Sequence, residues 1–297
     1  MKESKLSSTV FCLFIFFSII VISFNQCKKD EVPNDITNTP NLSATSDNSL
    51  SESIFNQVSY DIDATLNEQM NAVLSKIKGG ENPQPQPPAI KKQPVISLYP
   101  FDTISWPKKL DINYGDTNKI GDDNNIRRGK ISTSYSGKIQ NPGSEITITF
   151  DNYYFNNNKI EGTKKIKNKG RNSKHQLVFS ETVTDAKITK PDGTVIQWSQ
   201  TSEKTWITGE LTKNNIYDDE YSITGTRSGT DSNGKHYEVK ILSPLDIQGG
   251  CKWIRKGKIN FTIENVPSSI LIDYGNGNCD ADAILTINNK TINIILD

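Results

Sequence analysis

The stretch ISTSYSGKIQNPGSEITITF, Ile131 to Phe150, decides the fold. Ile131, Thr133 and Tyr135 alternate with polar residues, and so do Ile146, Ile148 and Phe150 after the turn signal Asn141-Pro142-Gly143. A period of two sends one set of side chains to one face of a strand, and a Pro-Gly break between two such runs marks a hairpin. The pattern extends outward. Ile259, Phe261 and Ile263 alternate in the same way, and turn signals recur at Asn156-Asn157-Asn158, Pro191-Asp192-Gly193, Ser232-Asn233-Gly234, Asn276-Gly277 and Asn288-Asn289. From Val95 to Asp297 this spacing predicts an all-β body of about a dozen strands, either an antiparallel sandwich or a long curved meander. Composition agrees, since the later two-thirds is dominated by Thr, Ser, Asn, Ile and Lys with Tyr and Phe interspersed. Such side chains fit a pleated, half-buried surface.

The body echoes itself. Ile160-Glu161-Gly162-Thr163, followed by Asn172-Ser173-Lys174-His175, parallels Ile223-Thr224-Gly225-Thr226, followed by Asn233-Gly234-Lys235-His236. Leu110 to Gly115 resembles Ile270 to Gly275, and Ile126 to Ile131 resembles Ile254 to Ile259. Duplicated hairpins would produce such matches, and so would repetitive strand composition.

Upstream, residues 49–80 read as a helix. Ile54, Phe55, Val58, Ile62, Leu66, Met70, Val73, Leu74 and Ile77 recur at three- and four-residue steps and mark one apolar face. Ser49 with Glu52 forms a capping box, and Gly79-Gly80 supplies a stop. That face either docks on the β-body or is offered to a partner. Residues 81–94 hold five prolines, a stiff extended linker. Residues 27–48 are polar, without apolar period, and read as a flexible tether.

The amino terminus carries Lys2 and Lys5, then an apolar or small run from Val10 to Phe24. Fifteen helical residues span about 22 Å, short of a hydrocarbon core of roughly 30 Å. A signal peptide over residues 1–26 explains the run better than a transmembrane helix. The sequence Ser23-Phe24-Asn25-Gln26-Cys27-Lys28-Lys29-Asp30-Glu31 resembles the lipobox and charged surface-export signal of Bacteroidota lipoproteins. The body, with its Tyr-Gly turns, Arg-Lys-Gly-Lys strand and Asp-Gly-Thr hairpin, is similar to an uncharacterised family of the same class. The resemblance implies acylation at Cys27 and an outer-membrane protein anchored by lipid at the cell surface, with the periplasmic face as the alternative. It brings no activity with it.

In the mature body the cysteines are Cys251 and Cys279. A hairpin turning near residue 265 sets them opposite or one residue apart, within range of a disulfide that an oxidising compartment permits.

Candidate chemistry is sparse. His175 and His236, at matching places in the suspected repeat, could ligate haem or a transition metal if brought together. Each also fits an exposed strand start. Asp273, Asn276, Asn278, Asp280 and Asp282 crowd one turn, and Asp116, Asp122 and Asp123 its counterpart, offering oxygen ligands for calcium. Asp and Asn are equally at home in turns without any ion. Asp218, Asp219 and Glu220 fit a carboxylate-based hydrolase or a solvated turn, and Lys164, Lys165, Lys167, Lys169 and Arg171 a glycan contact or an exposed basic hairpin. Trp106, Trp198, Trp206 and Trp253, with Tyr153, Tyr154, Tyr217 and Tyr221, could floor a sugar site or fill the core. Lys plus Arg and Asp plus Glu both total 34, so the basic footprint of a nucleic-acid binder is missing. No Ser-His-Asp order, phosphate loop, HExxH or CxxC is present, and no cofactor is expected. The sequence leans away from an enzyme, towards a surface-tethered domain that binds a glycan, protein or matrix. The alternative is a structural lipoprotein that contacts other envelope proteins.

Overall fold

A computed structural model describes residues 43–79, 94–212, 215–251 and 253–296. Cys27, the signal peptide, most of the tether and the Pro-rich linker up to residue 93 lie outside the described residues.

The body is a single open antiparallel meander, which decides between the two all-β architectures expected. Strands β1 (Val95–Tyr99), β2 (Lys108–Asn113) and the short β3 (Lys119–Ile120) lead into β4 (Ile126–Tyr135), β5 (Glu145–Phe155) and β6 (Asn158–Arg171). The centre is β7 (Leu177–Thr189), β8 (Val195–Thr208), β9 (Glu220–Thr230) and β10 (His236–Gln248). The far side is β11 (Lys256–Ile263), β12 (Ile270–Asn276), β13 (Asp282–Ile287) and β14 (Lys290–Ile295). Each strand pairs with its neighbours in chain order, except that β3 branches off as a second partner of β4. Alternation then sorts the side chains. On β6, Ile160, Lys164, Ile166 and Asn168 point inward and are buried, while the residues between point out. A row of facing residues crosses the outer face from Tyr99 on β1 to Thr291 on β14 by way of Thr147, Thr182, Thr201 and Thr226, none of them buried.

Bulges bend the sheet, and the internal echoes mark two of them. In Ile126–Ile131 the register slips between Arg128 and Lys130, and in Ile254–Ile259 between Lys256 and Lys258. Gly129 and Gly257 sit there at φ 82° and 118°. A Cβ would stand 2.0 Å from the Asn152 carbonyl oxygen at the first and 2.5 Å from that of Pro244 at the second. Only glycine fits such a close approach with positive φ. The partner strands match as well: Asn113 faces Lys130 and Asp273 faces Lys258. The carboxamide of Asn113 accepts the Gly115 N–H (2.8 Å), and the carboxylate of Asp273 accepts that of Gly275 (3.1 Å). The two hairpins are one local design used in opposite chain order.

Helix α1 (Ser43–Lys78) lies along the inner face. At 1.5 Å per residue its 36 residues span about 54 Å. It begins six residues before the expected Ser49, so the end of the predicted tether is helical and Ser49 caps nothing. The physical reason is tertiary. The Asp47 carboxylate accepts the Ser232 N–H (2.7 Å) and pairs with Lys190 (2.7 Å), and Asn48 accepts the Trp198 indole N–H (3.0 Å). These partners stabilise polar residues that show no apolar period. Phe55 anchors the middle, 5.4 Å from the Trp198 ring and edge-on to Phe150 at 5.7 Å. Between Ala44 and Ile62 adjacent residues such as Ser53, Ile54 and Phe55 are all buried, so the sheet wraps more than one side of this half. Beyond Ile62, the buried positions are Met70 and Val73, and the last turn rests on the β1–β2 loop through Lys76 over the Phe101 ring.

Candidate functional site

The inner face is apolar but laced with charge, and the helix supplies much of the acid. Glu52 pairs with Arg227 on β9, and Asp61 grips Arg127 on β4 at 2.7 and 3.1 Å. Arg127 also holds Asp123 (2.7 Å) and lies over the Phe155 ring. Burial outweighs Arg127 and raises Asp61 above the usual carboxylate range. Lys164, equivalent to Arg227 in the echo, points inward beside Glu181 at 3.5 Å, with both side chains nearly closed to solvent. Burial alone would raise Glu181, but Lys164 and Lys204 hold it below its ordinary value. Asp63, on the helix, feels both lysines, yet burial raises it well above the carboxylate range. The network continues through Lys204, whose ammonium lies 4.3 Å from the Tyr221 ring, to Trp206 stacked on Tyr221. Trp206 donates to Asp219 at 3.2 Å. Burial pushes Asp219 up to about 6 against that hydrogen bond. All of this is turned inward, tying helix to sheet.

The outer face carries a groove of about 610 Å³ across β7 to β10, within the size range of ligand sites. The register explains it. One row aligns Lys187, Gln197, Thr230 and His236, and next to it Ser199, Ser228 and Glu238 align, with Asp185 at the bulge of β7. The middle strands β8 and β9 contribute short or uncharged side chains, while the flanking strands β7 and β10 contribute charged or ionisable ones. A floor of short side chains between longer ones makes a trough. The Ser199 and Ser228 hydroxyls lie 2.8 Å apart, and Thr230 lies 2.9 Å from His236 Nδ1.

Of the residues singled out in the sequence, His236 and Trp198 border this groove, and the Trp198 ring is buried on the inner side. His175 sits in the β6–β7 turn at φ 62°, at the opposite end of the sheet. Hairpin turns alternate between ends, and thirteen residues of β7 at about 3.3 Å each separate the two imidazoles by about 40 Å. In the Asp-rich turn, Asp273 pairs with Lys258 (2.7 Å), and Asp280 accepts the Asp282 N–H (3.2 Å). Asn276, Asn278 and Asp282 are exposed. In the counterpart turn Asp123 belongs to Arg127, and Asp116 and Asp122 are exposed. Among the described residues, no three His, Cys, Asp or Glu side chains are grouped to hold a metal. The three adjacent acids diverge: Asp218 accepts the Thr212 hydroxyl, Asp219 meets Trp206 and Glu220 meets Arg255. The basic run splits by alternation, with Lys165, Lys167, Lys169 and Arg171 outward and Lys164 inward. Trp198, Trp206, Tyr153 and Tyr221 fill the core, while Tyr217 is exposed.

Cys251 and Cys279 form the disulfide, with Cα atoms 5.7 Å apart, just beyond the end of the β11–β12 hairpin. The observed pairing of Ile259 with Ile272 puts the turn centre half a residue past the expected one, and the slip at Gly257 moves it to 266, so the cysteines meet from the loops past the paired strands and not as facing strand positions. Groove residues such as Ser199, Ser228 and Gln197 carry no motif. They become visible only when four strands are placed in register. No protein-family model, curated protein or solved structure matches the chain.

Proposed function

We propose that this chain is a lipid-anchored outer-membrane protein, acylated at Cys27, whose body is a non-catalytic binding domain displayed outside the cell. The observation that carries the reading is the division of labour between the two faces. Charged and aromatic side chains of the inner face are committed to helix α1 and to each other, so they build the scaffold. The outer groove consists of hydrogen-bonding side chains on strands paired on both sides, a rigid support for recognition. The sequence resemblance at Cys27 supports the anchor and the export.

Whole cells test it. Metabolic labelling with palmitate should mark the chain and vanish in Cys27→Ala, and added protease should remove the body from intact cells. A body that stays protected while the label persists would turn the reading to the periplasmic face.

A second reading, an assembly lipoprotein, draws on the open edge of the sheet. Among the described residues, strand β14 has β13 as its one neighbour in the sheet, and Ile295 on it is 76% exposed. An edge rich in β-branched residues can accept a strand from a partner. Retention of a stable envelope protein by the full chain, lost in Asn293→Pro, would favour it.

A further inference from the structure

We infer that the groove across β7 to β10 binds an uncharged polyhydroxyl chain, a neutral glycan, lying along β8 and β9; this rests on the binding-domain reading above. Three features of the groove select that chemistry. The floor offers hydroxyls and one carboxamide, from Ser199, Ser228, Thr230 and Gln197, groups that both donate and accept as sugar hydroxyls do.

The walls balance. Asp185 stands on β7 beside Lys187, and Glu238 on β10 beside His236, so neither wall offers the single sign that a polyanion requires. Acidic polysaccharide and nucleic acid are therefore poor matches.

A peptide has nothing to hold. Strands β7 to β10 are all internal, which leaves no open backbone edge for strand addition. The large rings nearest the groove are turned away from it: Trp198 packs against Phe55 inside, and both it and Tyr237 are 2% exposed. Apolar anchors for a helix or side-chain pocket are thus missing from the floor. Backbone of β7 and β10 lies about 14 Å apart, three strand spacings, which admits one extended chain between the walls. Hydrogen bonds without ring stacking make a weak site, with a dissociation constant on the order of 1 mM. Many copies on one surface would strengthen it by avidity.

Affinity electrophoresis reads binding in that range. Full-length chain in detergent is run through gels containing laminarin, yeast mannan, soluble starch or polygalacturonate. The expected result is retardation by at least one neutral polymer and not by polygalacturonate. Ser228→Tyr, which fills the floor from an outward-facing position, should abolish retardation. Gln197→Ala, which removes one exposed hydrogen-bonding group, should weaken it several-fold, and unchanged melting of both variants confirms the fold. Equal retardation of wild type and both variants would place glycan binding elsewhere and overturn the groove assignment, while the binding-domain reading stands. Retardation by polygalacturonate alone would overturn the ligand class. No retardation in any gel would overturn this inference, and an envelope protein retained equally by wild type and Ser228→Tyr would overturn the binding-domain reading with it.

Discussion

The hairpins containing Ile126–Ile131 and Ile254–Ile259 share their sequence pattern, bulge and register, yet their arginines find counter-charges in different places. Arg127 takes Asp61 from the helix, 66 positions away in the chain, and Asp123 from its own loop. Arg255 takes Asp246 at 2.7 Å and Glu220 at 3.3 Å, both from the neighbouring strands β10 and β9. Their solvent access differs too: the Arg127 side chain is 6% exposed and that of Arg255 is 16%. Local sequence thus sets the geometry of a hairpin, and long-range packing sets what its arginine fastens. One arginine locks the helix into the sheet, while the other staples strands together.

Removing each arginine separates these roles. Arg127→Ala leaves Asp61, 12% exposed, without its counter-ion. Stranding a buried charge costs about 3–5 kcal/mol. Arg255→Ala exposes carboxylates that already touch water, 23% and 29% open, and should cost about 1–2 kcal/mol. Urea unfolding of the two variants checks the order, and equal losses would mean that both arginines hold their partners equally. The Arg127 variant should also expose the helix to protease first, since its grip on β4 is gone.

The disulfide belongs to one hairpin only. Cys251 and Cys279 close the end of the β11–β12 hairpin, whose arginine is paired with strands and not with the helix. Cross-linking residues 28 apart constrains the unfolded chain by about 3.5 kcal/mol in the chain-entropy account. Cys251→Ser with Cys279→Ser should lose about that much in denaturant and leave the Arg127 side intact. Hydrogen exchange would show it as faster opening of β11 and β12 while β2 and β4 stay protected.

This asymmetry also shows what the sequence could reveal. Strands, turns and the disulfide depend on neighbours in the chain or on one hairpin register, and alternation with turn residues makes them legible. The interior charges depend on residues far away. Lys164 and Lys165 are identical letters in one basic run, yet alternation sends the first to Glu181 inside and the second to Glu145 outside. Period two says that they part but not which face is covered. The start of the helix failed to show for the same reason, because Asp47 and Asn48 are stabilised by Lys190 and Trp198 more than 140 positions on. The groove is further still from legibility, since two serines with no motif become a floor only across four aligned strands.

Bulge glycines sharpen the comparison at a finer scale. An alanine at either site must adopt positive φ against a close backbone, which costs about 1–3 kcal/mol. The clash is tighter at Gly129, 2.0 Å, than at Gly257, 2.5 Å. Gly129→Ala should therefore destabilise more than Gly257→Ala, by thermal or urea midpoint. Equal effects would mean that the local backbone gives way at both sites and that the shared bulge is less constrained than its geometry implies.

The smallest effect concerns pH on the Arg255 side. Asp219 neighbours Glu220, an Arg255 partner, and burial raises it to about 6 from an ordinary value of 3.8. A carboxyl group raised on folding binds its proton more tightly in the native state. The native state is therefore favoured below the unfolded value, and stability falls as pH climbs from about 4 through about 6. Asp219→Asn removes that titration and keeps an acceptor for the Trp206 indole. The variant should match wild type near pH 4 and exceed it by roughly 1 kcal/mol at pH 8, a modest figure because solvent screens part of the effect. Urea midpoints of both proteins across that range decide it. A variant that loses stability at pH 8 would show that the ionised carboxylate is itself a structural partner of Trp206, and that charge on this side stabilises the fold as it does around Arg127.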